Sequence, residues 1–251
     1  MGESLPNHQE FMKFSIIISW YGSDKFRIHW FNRVAECIKK QTLPRDKFEI
    51  VLAKDELSAL TDYEQMSDKV VVLSHKEKFN RAWFLNCGAR VATAEWLVFL
   101  DADALFEKDY FQKLSDYMDT CKTGVFRGLN FVSWEWDLNY IENREYTNLD
   151  VMGLSFCIKR DKFWANGGMC ENFQGHGGED AILYEIYKDE LTDMSYKFIH
   201  PYYPNERPYI RKNWALADYC RANMQLVKNL LLETKDKAGN PKEENLLCFP
   251  S

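Results

Sequence analysis

Residues 96–100, Trp-Leu-Val-Phe-Leu, are apolar without a break and run straight into Asp101-Ala102-Asp103. An unbroken apolar run of strand length that ends in charge reads as a strand buried on both faces, as in a mostly parallel sheet covered by helices. In such sheets ligands bind beyond the carboxyl ends of the strands. The two acids flank a small residue. On an extended backbone they project to opposite sides, so one can grip a hard divalent cation while the other takes a ribose hydroxyl or a metal-bound water. That is where a metal-bound diphosphate would sit. Asp-X-Asp arises often by chance, and acids in a loop after a strand are ordinary, so the rest of the chain has to supply the context.

That context is a repeating alternation. Residues 14–19 are short and β-branched, and in 28–41 the residues Ile28, Phe31, Val34, Ala35 and Ile38 recur at helical spacing. Strands follow at 48–53 and 70–73, then a helix from Arg81 to about Ala94, then the strand into Asp101. Asn80 is a good N-cap for that helix, with Ala82, Leu85, Ala89 and Ala92 as its buried face. Strand, helix, strand in series predicts an α/β fold with a doubly wound, mostly parallel sheet flanked by helices.

Beyond Asp103 the rhythm changes to a helix near 108–121, short strands near 124–131 and 154–159, and between them an aromatic, acidic stretch with Trp134 and Trp136. This half is expected to form a smaller mixed region on the acceptor side. Either tryptophan could stack on a sugar, although aromatic residues in a short strand more often belong to the core. The spacing of Trp214, Ala217, Met224, Val227 and Leu231 predicts a helix over 213–233, and 234–251 reads as a polar tail. The reading is one domain over 1–233, with a nucleotide-binding half at 14–103 and an acceptor half at 104–212.

Length and composition allow this, since 251 residues with 46% apolar content can bury a full core. A net charge of -6 and the lack of long Lys/Arg clusters argue against a nucleic-acid partner. An anionic ligand would then need a metal or a local basic pocket. The seven cysteines form no Cys-X-X-Cys pair and are odd in number, which fits reduced, mostly buried thiols and a cytoplasmic home. Neither a signal sequence nor a run of membrane-spanning length is seen, and peripheral membrane contact stays open.

A second acidic site lies at Gly175-His176-Gly177-Gly178-Glu179-Asp180, where a glycine segment runs into a helical stretch. Carboxylates in a first helical turn satisfy orphan N–H groups and the macrodipole, so a cap explains them. A mobile segment that carries a general base to an acceptor hydroxyl explains them equally.

Taken in order, Phe79-Asn80-Arg81-Ala82, Leu85-Asn86-X-Gly88, Phe99-Leu100-Asp101-Ala102-Asp103 and Gly177-Gly178-Glu179-Asp180 resemble the β-1,4-galactosyltransferases and the chondroitin-synthase-like members of the GT-A glycosyltransferases, in families 2 and 7. The resemblance spans roughly 14–203. It implies a GT-A fold and an inverting transfer from a nucleotide sugar, with UDP as carrier, to a saccharide or lipid-linked saccharide. By the same resemblance Asp103 binds the metal, Asp101 approaches the ribose or the metal through water, and Arg81 touches the nucleotide. His200 stands where the family's later histidine completes the metal site. An imidazole with carboxylate and diphosphate oxygens suits Mn2+ well and Mg2+ less obviously. Tyr21 and Asp55 match positions that hold the uracil ring, with Ser19 beside them in the nucleotide site. Asp180 takes the place of the base, with Glu179 orienting the acceptor or the loop.

The chain departs from the galactosyltransferase pattern at His176, where a tryptophan is usual, and at Ala181, where an acid often follows. Galactose specificity therefore does not carry over. Two rivals remain: a non-catalytic nucleotide-sugar-binding module in which Asp180 only caps its helix, and a sugar nucleotidyltransferase. The latter would call for a glycine-rich, basic loop after the first strand, and residues 20–23, Trp-Tyr-Gly-Ser, offer a single glycine.

Overall fold

The computed structural model describes residues 12–22, 25–58, 61–74, 79–134, 147–149, 155–173, 178–200 and 248–249. Its first half follows the sequence closely. Strand β1 (Phe14–Trp20) leads to helix α1 (Lys25–Lys39), β2 (Phe48–Asp55), the short α2 (Asp62–Met66), β3 (Lys69–Leu73), α3 (Arg81–Val91) and β4 (Trp96–Leu100). These four strands are mutually parallel in the order β3-β2-β1-β4. The chain thus winds outward from β1 to β3, then crosses back to place β4 on the other flank of β1. The reversal makes a topological switch point between β1 and β4, and ligands bind outside the carboxyl ends of strands at such a point.

Burial explains the unbroken apolar runs. On β4, Trp96, Val98 and Leu100 enter one core while Leu97 and Phe99 enter the other, and all five are buried. On β1, Ile16 and Ile18 face the first core and Ile17 the second. Helix α1 covers the first face with Trp30, Phe31, Val34, Ala35 and Ile38, and α3 covers the second with Ala82, Phe84, Leu85 and Ala89. Asn80 caps α3, its side chain accepting the Trp83 N–H at 3.0 Å. Gly88 is needed here: a Cβ at that position would stand 2.7 Å from Ile17 Cγ2, so only glycine lets α3 lie this close to β1.

The second half is mixed. It contains β5 (Leu105–Phe106), α4 (Tyr110–Met118), β6 (Val125–Trp134), β7 (Thr147–Leu149), β8 (Ser155–Lys159), α5 (Arg160–Ala165), α6 (Glu179–Tyr187) and β9 (Thr192–His200). Strand β8 runs antiparallel to both β4 and β6, β9 lies parallel to β6, and β5 is antiparallel to β9. Helices α5 and α6 pack on the same face as α3 through Phe163, Leu183 and Tyr187.

Three differences from the sequence reading have physical causes. The chain leaves β4 at Leu100 and turns at 102–103, so Asp101 and Asp103 do not alternate along an extended backbone. Strand β5 is two residues long, too short for a period-2 signal, and it exists because β9 pairs with it. Within the segment read as a tail, Cys248–Phe249 forms β10, antiparallel to β3 at the sheet edge. A two-residue edge strand has no sequence signature of its own, since its partner supplies the hydrogen bonds. Trp136, His176 and the helix expected over 213–233 lie outside the described residues.

Candidate active site

Ser19, Tyr21, Asp55, Asp101 and Asp103 lie at or just beyond the carboxyl ends of β1, β2 and β4, and Arg81 begins the helix that follows β3. Ser19, partly buried, is in the last turn of the pleat of β1, and Tyr21 follows that strand. Tyr21 is 41% exposed, and its ring stacks on Phe79 with centroids 4.8 Å apart and planes 13° from parallel. The contact joins the end of β1 to the residue just before the cap of α3. Asp55 ends β2, is buried, and its Oδ2 accepts the Leu57 N–H at 3.2 Å. Nearby, Ser58 Oγ accepts the Gly22 N–H at 3.0 Å, tying the loops after β1 and β2 together.

Arg81, the first residue of α3, is the centre of the charged group. Its Nη2 donates to Asp101 Oδ1, and its Nη1 donates to Glu179 Oε1. All three side chains are largely withdrawn from solvent, Glu179 most of all at 2% exposure. Burial disfavours the guanidinium charge, but attraction from Asp101, Glu179 and Asp180 outweighs it and raises the Arg81 pKa. One oxygen of the buried Glu179, Oε2, has no hydrogen-bond partner among the described residues. An orphaned carboxylate oxygen in a cleft is costly unless something else binds it.

Asp180 follows on the same helix turn. Gly178 precedes it in the left-handed region at φ 96°, which a residue with a Cβ adopts only under strain, and which turns the incoming chain into α6. Burial, then the charge of Glu179, pushes the Asp180 carboxyl up to about 6, against the pull of Arg81 and of the Ala181 and Gly178 N–H groups. A carboxylate poised there can accept a proton near neutral pH. Its Oδ1 also accepts the Ala181 N–H at 2.8 Å, a bond inside the first turn of α6, whose N-cap position is Gly178.

Asp103, partly buried, lies in the turn after β4. The register Leu105↔Ile199 carries the pairing of β5 and β9 up to this turn, bringing the backbone of His200 level with Ala104, one residue from Asp103. The His200 side chain lies outside the described ones. Among the described residues no group of three or more His, Cys, Asp or Glu side chains is arranged to hold a metal. Magnesium-like ions, however, are often held by one or two carboxylates together with substrate phosphates rather than by a full protein cage. A single carboxylate such as Asp103 fits that mode.

Sequence reasoning missed the role of Asn86. It is fully buried in α3, its Nδ2 donating to the Met169 carbonyl at 2.9 Å and to Glu171 Oε1 at 2.5 Å, while its Oδ1 accepts the Met169 N–H at 2.9 Å. The signal was present. An asparagine beside Leu85 on the apolar face of a helix has to find partners.

The comparisons with known proteins agree with this fold. The profile of Glycosyl transferase family 2 matches residues 15–228. The chain belongs to that family. Among solved structures, residues 1–349 of S. aureus TarS in complex with UDP-GlcNAc superpose on this family 2 chain with a TM-score of 0.62 at 15% identity, covering 88% of this chain and 71% of that one. GalNAc-T7 with UDP, GalNAc and Mn2+ gives 0.57 at 18% identity, covering 84% of this chain and 48% of that one. The full TarS structure gives 0.61 at 17% identity, and this chain covers 42% of it. These likenesses establish a GT-A fold, a mixed α/β sheet with flanking helices. No curated protein sequence matches the chain. No helix among the described residues is long and apolar enough to cross a membrane.

Proposed function

We propose that this family 2 chain is an inverting glycosyltransferase that moves a hexosyl or N-acetylhexosaminyl group from a UDP-sugar to a hydroxyl of a saccharide or lipid-linked saccharide. The observation that carries the reading is the placement of Asp180. It follows Glu179, which Arg81 ties to Asp101 at the carboxyl end of β4. A carboxylate with a raised pKa is thereby held beside the switch point where the diphosphate belongs. The order of the Phe-Asn-Arg-Ala, Asp-X-Asp and Gly-Gly-Glu-Asp motifs supports placing the chain with the β-1,4-galactosyltransferase-like and chondroitin-synthase-like members. The ligands of the structural neighbours, UDP and UDP-GlcNAc in TarS and UDP with Mn2+ in GalNAc-T7, support the donor class and a cation.

In this reading Asp180 removes the proton of the acceptor hydroxyl as its oxygen attacks the anomeric carbon. The bond from that carbon to the diphosphate oxygen breaks on the opposite face, which inverts the centre. Glu179 offers its unpartnered oxygen to the acceptor or donor sugar. Tyr21 and Asp55, with Ser19 near the end of β1, hold the uracil. Asp103, His200 and Asp101 would hold Mn2+ or Mg2+, which would stabilise the charge of the departing diphosphate. Among the described residues Asp101, Glu179 and Asp180 stand around Arg81, and this excess of carboxylates supports a cation beside the diphosphate.

The test is turnover of a panel of UDP-sugars with a mixed oligosaccharide pool, comparing wild type with Asp180→Asn. Asparagine preserves the carboxylate's shape and helix-capping ability but accepts no proton. The expected result is UDP release that requires acceptor, normal UDP binding by the variant, and turnover at least roughly a hundred-fold slower. The hydrogen bond from the Ala181 N–H to Asp180 favours one rival, a binding module in which Asp180 is a cap. Equal turnover by the two proteins, or UDP binding with no turnover by either, would favour it.

A further inference from the structure

Helix α6 carries its side chains in two stripes. Glu179, Leu183 and Tyr187 recur four residues apart, and they point toward α3, where Glu179 meets Arg81 while Leu183 and Tyr187 enter the second core. Asp180 and Tyr184, also four apart, form the neighbouring stripe. Arg127 on β6 fixes the direction in which that stripe looks. It pairs with Phe156 of β8, which pairs in turn with Phe99 of β4. Phe99, Phe156 and Val125, two residues before Arg127 on β6, all lie in the second core, so Arg127 projects from the face that α6 covers. Its guanidinium lies over the Tyr184 ring, 4.6 Å from the centroid, and its Nε donates to Asp193 Oδ1 on β9 at 3.1 Å. The stripe that holds Asp180 therefore looks over β6 and β9, the half of the sheet beyond β4.

Tyr184 differs from its neighbours on the helix. Ala181, Ile182, Leu183 and Tyr187 are buried, whereas Tyr184 is half-buried and stands outside both apolar cores. Among the described residues its ring contact is with Arg127. A helical side chain leans toward the N-terminus of its helix and covers the turn before its own Cα, so Tyr184 reaches back toward Asp180, which lies about 6 Å away along the axis.

We propose that Tyr184 is an acceptor-binding residue, an aromatic platform that rests on Arg127 with one ring face and takes the sugar ring of the acceptor on the other. The inference rests on the reading of Asp180 as the base. A hydroxyl delivered to Asp180 brings its own sugar ring with it, and the side chain that this ring meets one turn along the same stripe is Tyr184. A cyclic sugar has an apolar face of C–H groups with hydroxyls at its rim, and an aromatic body with a polar tip matches both. Arg127 makes the platform rigid. Its side chain is only 7% exposed, which strengthens the attraction between guanidinium and ring, and its bond to Asp193 ties it to the next strand. A ring already held in place loses little freedom when a ligand docks on it.

The test compares wild type with Tyr184→Phe and Tyr184→Leu, all with Mn2+ present. UDP affinity is measured by calorimetry, and kcat and acceptor KM at saturating UDP-sugar with the oligosaccharide fraction that wild type uses best. Tyr184→Phe keeps the ring and is expected to stay within about threefold of wild type throughout. Tyr184→Leu is expected to raise acceptor KM roughly tenfold or more, with UDP affinity and saturated kcat within about threefold. A rise in acceptor KM below about threefold, or a loss confined to kcat, overturns the proposal, because Tyr184 would then only hold α6 on the sheet. Should Tyr184→Leu fail to fold, Tyr184→Met makes the same comparison with a side chain that fills irregular space. If wild type turns over no UDP-sugar, the glycosyltransferase reading fails by itself, and saturation-transfer NMR of the oligosaccharide pool decides the platform separately. A signal that wild type and Tyr184→Phe give and Tyr184→Leu loses supports it, while an equal signal from all three, or none from wild type, overturns it. Asp180→Asn is expected to keep that signal while losing turnover, so the base and the platform fail independently.

Discussion

Asn86 and Met169 exchange a reciprocal pair of hydrogen bonds, the Met169 N–H donating to Asn86 Oδ1 and Asn86 Nδ2 donating back to the Met169 carbonyl, both at 2.9 Å. A side-chain amide thus completes main-chain pairing for a loop that has no strand beside it. Because the pair is buried, neither group can turn to water when the other is removed.

Asn86→Leu keeps the branched shape of the side chain but strands both Met169 groups. Each unsatisfied buried group costs about 1–3 kcal/mol, so the variant is expected to lose roughly 2–6 kcal/mol in urea unfolding. A loss below about 1 kcal/mol would mean that the loop at 168–171 finds other partners.

Gly88→Ala tests the contact between α3 and β1. The new methyl would stand 2.7 Å from Ile17 Cγ2, and both elements are fixed by the core, so overpacking should cost about 1–3 kcal/mol despite alanine's better helix propensity. The Ile17→Ala background removes the colliding carbon. There the same glycine substitution is expected to be neutral or stabilising, and a double-mutant cycle of thermal or urea unfolding measures the coupling.

Much of this arrangement could be read from the sequence, for a reason visible in the residues. Strands β1, β2 and β4 are buried on both faces, so their sequences are mostly apolar, and α3 carries its cap and its stripe in plain order from Asn80 to Ala92. The meeting of Arg81 with Glu179, 98 residues apart, leaves no local trace, and no periodicity could reveal it. Strands β5 and β10 exist only through their partners. The turn at 102–103 was hidden for another reason, since Asp-Ala-Asp suits an extended chain and a turn alike.

Cation removal separates donor binding from the fold. With Asp101, Asp103, Glu179 and Asp180 outnumbering Arg81, EDTA is expected to weaken UDP binding by roughly tenfold or more and to stop turnover, with Mn2+ or Mg2+ restoring both. Unfolding midpoints with and without EDTA, measured without donor, separate an effect on the fold from one on donor binding. UDP affinity that is indifferent to EDTA would remove the cation from the reading.

The raised pKa of Asp180 links activity to stability with opposite signs. The carboxyl is pushed up to about 6 in the fold, from an unfolded value near 3.8, by burial and by Glu179, with Arg81 opposing. The folded chain therefore binds the proton more tightly than the unfolded chain, and stability falls as pH rises through that window, from below about 4 to above about 6. Asp180→Asn removes the ionising group. It is expected to melt at a higher temperature than wild type at pH 8, with the difference shrinking as pH falls through about 6 and vanishing below about 4. In wild type, kcat/KM should drop on acidification through about pH 6, as the base becomes protonated just where it becomes harmless to the fold. Melting curves of the two proteins at pH 4 and pH 8 test this directly. If the variant is no more stable at pH 8, the fold holds Asp180 without strain, and an acidic limb near pH 6 would then have to come from another group.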